Sequence, residues 1–253
     1  MKDALKIKRR FHEACEQYGL LADGDKVLIG LSGGKDSLLL VELLGAQAKI
    51  YKPRIEVIAV HVRVAERNYQ SDLTYLEQFC TSHGVRLEVC DTRIEDVDGA
   101  SGHSDKQETR KEKNPCFLCS WYRRKVLLDK AQEWGCNKIA LGHHRDDVLQ
   151  TMLMNLIYEG RCSSIPPILP LDKMPIAFIR PLWKIDERDI VQYAEMQGYQ
   201  KQLHLCPFEK ETSRSEAAEL LVQLEEMNPE VRASLMHALR RSNNFARVDC
   251  REA

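Results

Sequence analysis

Residues Val27-Leu28-Ile29-Gly30-Leu31 form an unbroken apolar run, too short for a helix, that passes directly into Ser32-Gly33-Gly34-Lys35-Asp36-Ser37. Such a run reads as a strand buried on both faces, the situation of parallel sheets covered by helices on each side. The rest of the chain repeats this alternation. Apolar periodicity predicts helices over residues 3–18, 36–49, 73–83, 117–134, 146–158 and 187–197, and strands over 27–31, 55–60, 85–89, 138–141 and 176–179. Strands alternating with helices imply an α/β fold with a doubly wound, mostly parallel sheet. Two stretches interrupt the pattern. Residues 91–115 are polar and too long for a bland connection, while Pro166, Pro167, Pro170 and Pro175 forbid a helix over 162–175 and predict a rigid surface loop. Past residue 200 no further strand is expected, only helices over 213–227 and 229–243. The expected organisation is an N-terminal helix in residues 1–26, the α/β domain in 27–200 and a small helical C-terminal region in 201–253.

A chain of 253 residues, 43% of them hydrophobic, suits one such domain with a small appended piece and is too apolar for disorder. No apolar run approaches the roughly 18 residues of a membrane span, and Met1-Lys2-Asp3-Ala4 does not open a signal peptide, so a cytoplasmic protein is expected. In that compartment the nine cysteines stay reduced and do not form a disulfide framework. With 37 basic against 38 acidic residues, a histone-like basic binder is excluded.

The turn after the first strand is suited to holding an anion. Gly33 and Gly34 open backbone conformations that let successive N–H groups point into one concavity. The following helix start adds partial positive charge, and Ser32 and Ser37 add hydroxyls. A phosphate chain is the anion such a turn suits, although the spacing matches neither G-x-x-x-x-G-K-[ST] nor G-x-G-x-x-G. The bland reading is a capped strand–helix turn. A second polar cluster, Gly142-His143-His144-Arg145-Asp146-Asp147, falls at the end of the fourth predicted strand, and strand ends are where open α/β sheets bind ligands. Asp146 and Asp147 also suit plain helix capping. Beside the first loop, a role in a shared site is the better reading.

Cys116 and Cys119 are the one close cysteine pair, at a predicted helix start where the dipole favours thiolate. Two thiolates so spaced can grip one metal centre, and the alternative is two buried cysteines packing as small hydrophobes. Cys206 is the candidate for a distant third ligand. His204 as a fourth ligand would suit zinc, whereas three cysteines alone leave one iron of a [4Fe–4S] cluster open. Spacing leaves both standing. Cys15, Cys80, Cys90 and Cys136 fall on predicted core faces or strand ends, and Cys162 and Cys250 read as spare thiols.

Ser-Gly-Gly-Lys-Asp-Ser after an apolar strand resembles the PP-loop of the N-type ATP pyrophosphatases, which adenylate a carbonyl oxygen and release pyrophosphate. Added to it are Cys116-Phe117-Leu118-Cys119, Arg123-Arg124, the Gly-His-His-Arg-Asp-Asp cluster, Ile179-Arg180-Pro181-Leu182 and a later single cysteine. With these the chain resembles, from about Val27 to Ser215, the TtcA family of tRNA 2-thiocytidine synthetases. The resemblance implies that Ser32, Gly33, Gly34, Lys35, Asp36, Ser37 and Gly142 bind ATP. It also implies that Asp36 and Asp147 manage Mg²⁺, and that Lys35 and His143 neutralise charge developing on the phosphates. Cys116, Cys119 and Cys206 would hold the [4Fe–4S] cluster, with zinc as the alternative. The family's second C-x-x-C is here Leu203-His204-Leu205-Cys206, so no ligand is spare. The substrate implied is a tRNA cytidine at position 32 of the anticodon loop, with sulfur from a donor such as a cysteine desulfurase; a homodimer stays open. Two other readings remain: transfer of sulfur to another base or a small molecule, and a zinc-stabilised RNA-binding module without catalysis.

A tRNA partner requires positive surface. Residues 1–10 carry five basic residues against one acidic, and residues 101–130 carry eight against four, the second segment beside the cysteine pair. Arg240, Arg241 and Arg247 form a third candidate. Trp121 and Tyr122 could stack on a flipped-out base, although core packing is the commoner fate of such aromatics.

Overall fold

A computed structural model describes residues 2–65, 69–93, 115–201, 203–204 and 213–242. Its elements in chain order are α1 (Lys2–Tyr18), β1 (Lys26–Gly30), α2 (Lys35–Ala48), β2 (Glu56–Val64), β3 (Tyr69–Gln70), α3 (Leu73–Ser82), β4 (Arg86–Thr92), α4 (Pro115–Glu133), β5 (Lys138–Ala140), α5 (Arg145–Glu159), β6 (Ile168–Pro170), β7 (Ala177–Ile179), α6 (Glu187–Met196), β8 (Leu203–His204), α7 (Ser213–Met227) and α8 (Val231–Ser242).

The apolar run around Val27 is the centre of a six-stranded sheet in the order β4-β2-β1-β5-β7-β6, parallel throughout except where β6 meets β7. Strand alternation sends Val27 and Ile29 into one core, with Ile7 and Phe11 of α1, the leucines of α2, Leu76 of α3 and Ile190 of α6. Leu28 faces the other way, into a core with Leu127 and Ala131 of α4 and Phe178 of β7. Burial on both sides is why the run has no polar residue. A third core joins Val148, Leu149, Met152 and Leu153 of α5 to Trp183, Ala217, Leu221, Met236 and Leu239. The two C-terminal helices are therefore fastened to α5, the helix that opens at the second polar cluster.

Two predicted features differ. The proline-rich stretch contains β6, an antiparallel edge strand where a surface loop was expected. An edge position tolerates proline because its missing N–H faces no partner strand, and Pro170 closes this strand. Past residue 200, Leu203 and His204 pair antiparallel with Gln70 and Tyr69, a bridge too short to leave a periodic signal. Most of the polar stretch 91–115 lies outside the described residues. Among the described residues no helix is long and apolar enough to cross a membrane.

The order of strands reverses between β1 and β5, so β1 leads outward to β2 and β4 while β5 leads to β7. The loops after β1 and β5 flank that switch point, where open α/β sheets form a crevice beyond their carboxyl ends.

Candidate active site

The loop after β1 is shaped by its own serines. Ser37 Oγ donates to the Gly34 carbonyl at 2.9 Å and accepts from the Gly33 N–H and the Ser32 hydroxyl, each at 3.1 Å. Gly33 has φ +88°, a left-handed conformation that a side chain would strain, whereas Gly34 at φ −75° is extended backbone. Gly34 is the N-cap of α2 and has no side chain to cap it. The first turn of α2 therefore presents its amides to whatever anion enters.

Gly142, after β5, lies against this turn. A Cβ there would stand 3.2 Å from both the Asp36 carbonyl carbon and the Ser37 nitrogen. Glycine is what lets the two loops approach.

The starts of α2 and α5 bring together Asp36, His144, Asp146 and Asp147. His144 Nε2 lies 3.4 Å from Asp147 Oδ2 and 3.8 Å from Asp36 Oδ1. Burial pushes the Asp36 pKa up, and the nearby Lys35 and His144 only partly counter it. Asp36 Oδ1 is buried and accepts no hydrogen bond, so it fits a hard cation such as Mg²⁺. Asp147 is already engaged: Oδ2 accepts the His144 N–H at 2.9 Å, and Oδ1 lies 2.9 Å from an Arg214 nitrogen. Asp146 accepts the Glu187 N–H at 2.7 Å and a hydrogen bond from Arg232. Although burial opposes it, these partners hold its carboxyl below the usual range. Lys35 Nζ donates to Glu187 Oε1 at 2.8 Å and to Asp36 Oδ2 at 3.2 Å. Burial favours its neutral form, but the two carboxylates prevail and keep it charged.

A cavity of about 660 Å³ opens beside these groups, the size of a nucleotide-type ligand site. Ser32 of the first loop and His143 of the second both line it, as does Cys119 of α4. Its charge comes from Arg123 and Arg124 on α4, Arg180 after β7 and Arg214 at the start of α7. Arg180 donates to the Pro166 carbonyl at 2.7 Å; burial, then the neighbouring Arg124, lowers its pKa to about 10, which leaves it cationic at neutral pH. His61, on β2, is buried against the cavity and bonds through Nδ1 to the Leu31 carbonyl at 2.8 Å. Burial, then Arg180, pushes the His143 pKa down to about 3. At neutral pH it is therefore an uncharged hydrogen-bonding group, and counter-charge to a phosphate falls to the arginines.

The cysteines divide by environment. Burial pushes the Cys15 and Cys80 thiols up to about 12 and about 11, as expected of packing residues. Cys136 is also buried, while Cys90 and Cys162 are half-buried. Cys119 is buried too but faces the cavity, with Arg123 and Arg124 about one turn further along α4. A soft sulfur donor facing a cavity shared with guanidinium groups fits a cluster or zinc ligand. The Cys116 side chain, Cys206 and Cys250 lie outside the described residues. Among the described residues no three His, Cys, Asp or Glu side chains are placed to hold one metal ion.

Arg180, Arg214, Arg232, Glu187 and His61 were not identified as site residues from the sequence. Only Arg180 carried a signal, in Ile179-Arg180-Pro181-Leu182; the others reach the site through tertiary packing.

The PP-loop domain family matches residues 4–202. A tRNA-cytidine(32) 2-sulfurtransferase of Geotalea daltonii is 32% identical over 94% of this chain and 93% of its own. One of Citrifermentans bemidjiense is 30% identical over 92% and 89%. Among solved structures, the U34-tRNA thiolase NcsA from Methanococcus maripaludis with its [4Fe-4S] cluster is similar with a TM-score of 0.73 and 28% identity, covering 94% of this chain and 78% of that one. The NH3-dependent NAD synthetase of Campylobacter jejuni, at TM-score 0.50 and 17% identity over 94% and 92% of the two chains, shares the fold.

Proposed function

The chain belongs to the PP-loop family and, within it, to the tRNA-cytidine 2-sulfurtransferases, and from that premise we propose that it replaces the C2 oxygen of a tRNA cytidine, at position 32, with sulfur in an ATP-dependent reaction. It is a transferase. The observation that carries the reading is that the phosphate-type loop and Cys119 open into one cavity, so a nucleotide and a sulfur-bearing centre can serve the same base.

The cytidine C2 oxygen attacks the α-phosphate of ATP, and pyrophosphate leaves. Sulfide then attacks C2, and AMP departs with the former carbonyl oxygen. The first step needs stabilisation of charge on the departing pyrophosphate. The amides at the start of α2, with Ser32 and Ser37, supply it on one side and the cavity arginines on the other. Asp36, with its buried unpartnered Oδ1, would hold Mg²⁺, which would neutralise charge on the phosphates, and Asp147 stands beside it through His144. Gly142 keeps the two loops close, Lys35 fixes the start of α6 to the loop through Glu187, and the neutral His143 orients polar groups of the substrate. Cys116, Cys119 and Cys206 would hold a [4Fe–4S] cluster, which would supply the sulfur when bound. Its sulfur arrives from a separate donor such as a cysteine desulfurase.

Thionucleoside mass spectrometry on tRNA from a strain lacking the gene tests the target. Loss of 2-thiocytidine with other thionucleosides intact is expected. Retained 2-thiocytidine with loss of a thiouridine would move the assignment to another base, the reading to which likeness to a U34-tRNA thiolase lends support.

A further inference from the structure

Arg214 stands outside the PP-loop domain match at residues 4–202 and belongs to the C-terminal helices, yet its side chain lines the cavity. It is the second residue of α7, and Ala217 and Leu221 of the same helix are buried against α5, so its backbone is fixed by packing. Its guanidinium is half-exposed, and among the described residues its ion pair is a single contact of 2.9 Å with Asp147.

The cations around the loop are not equally available. Lys35 is engaged by Glu187 and Asp36, Arg180 is buried and tied to the Pro166 carbonyl, and Arg232 is held between Asp146 and Glu225. Arg214 is bound by one carboxylate of the acidic cluster itself, at the edge of the cavity. If Asp36 and Asp147 held Mg²⁺, Asp147 would be partly withdrawn from Arg214, whose planar fork would then be free to pair with phosphate oxygens.

We infer that Arg214 is a catalytic residue of the adenylation step, which binds the phosphates of ATP from the side opposite the glycine loop and is held in register by Asp147 before the nucleotide enters. The inference rests on the reading of this cavity as the ATP site and makes the C-terminal helices part of that site. The bond changes are those of adenylation: the C2 oxygen–phosphorus bond forms, the α-phosphorus–oxygen bond to pyrophosphate breaks, and Arg214 stays protonated throughout.

The test is calorimetric binding of magnesium with α,β-methylene-ATP, and of magnesium pyrophosphate, to the full-length wild-type protein, Arg214→Gln, Arg214→Lys, Asp147→Asn and the Arg214→Gln/Asp147→Asn double variant. Arg214→Gln should weaken both ligands about ten- to a hundredfold, the scale of a lost charge-assisted hydrogen bond. Arg214→Lys should recover part of the loss, and all variants should keep the wild-type thermal midpoint within a few degrees. The decisive comparison is within Asp147→Asn. A phosphate contact makes Arg214→Gln weaken binding there as well, whereas a residue that only steadies Asp147 has no further effect. Unchanged binding in Arg214→Gln, or a silent second substitution in Asp147→Asn, would overturn the inference. A wild-type protein that binds neither ligand overturns it together with the ATP-site reading. One that binds both, shows the Arg214 effect and leaves tRNA unthiolated supports the role of Arg214 and refutes the proposed function alone.

Discussion

Two helices begin within touching distance of each other, and their first turns are opposites. α2 starts after Gly34 with no capping side chain, and its loop is held open by Ser32 and Ser37. α5 starts after His144 with Asp146 and Asp147 in its first turn, each taken up by an arginine from the C-terminal helices. Both ends carry the same dipole, so both attract negative charge. α5 answers that attraction with two carboxylates, each held by an arginine, while the first turn of α2 carries only one, Asp36, and its N-cap has no side chain. On the proposed function, the two starts side by side would take a polyphosphate on one side and a cation between them, with Asp36, 3.8 Å from His144 Nε2, reaching from the open side toward the closed one.

Removing the charge that bridges the two starts should have the largest effect. Asp36→Asn is expected to lower ATP-dependent pyrophosphate release on the order of a thousandfold and to blunt its response to magnesium, since a catalytic metal contributes several kcal/mol. A magnesium titration of initial rates checks this, and an unchanged profile would remove Asp36 from the cation site. Separating the two starts sterically comes next. Gly142→Ala places a methyl 3.2 Å from backbone atoms of Asp36 and Ser37, and a displacement on the scale of 1 Å should cost roughly a hundredfold in rate. Wild-type rates in that variant would show that the close approach is dispensable.

The third way acts through pH. His143, between the two starts, has a folded pKa of about 3 against an ordinary value of 6.5. Between those values the unfolded chain takes up a proton that the folded chain refuses, so stability falls as pH drops from 6.5 toward 3, by up to about 1.4 kcal/mol per pH unit. Thermal midpoints of His143→Gln should therefore decline less steeply over that range than those of the wild type. Parallel curves would mean that His143 is not buried as a neutral group. The smallest effect is expected from Glu187→Gln, which frees Lys35 from one of two carboxylates. The pair is partly exposed, so its worth is about 0.2–1 kcal/mol and the KM for ATP should move no more than about fivefold. A larger change in steady-state kinetics would make Glu187 more than an anchor.

How much of this could be read in the chain depends on whether the signal was local. The run at Val27–Leu31, the glycine turn and helix α7 over 213–227 follow from spacing and composition, and they appear where expected. Strand β6 does not, because Pro166, Pro167 and Pro170 carry the local signal of a loop while the pairing that makes a strand comes from β7. The site divides in the same way. Ser32, Gly33, Asp36 and Asp147 were visible because loop and cap chemistry is written in adjacent residues. Arg214 and Arg232 were not, since only the packing of α7 and α8 on α5 brings them to Asp147 and Asp146. Lys35 shows the reverse: the motif marks it as a phosphate ligand, and its nearest partner is a carboxylate from α6.

Isotope tracing of the displaced oxygen tests the adenylation chemistry most directly. Unmodified tRNA carrying ¹⁸O at the cytidine C2 position is incubated with the cluster-loaded protein, ATP, magnesium and sulfide, and the AMP, pyrophosphate and water are analysed by mass spectrometry. Adenylation of the carbonyl oxygen places the label in AMP, one atom per thiocytidine formed, with none in pyrophosphate. Label released to water, or thiocytidine formed without labelled AMP, would contradict it.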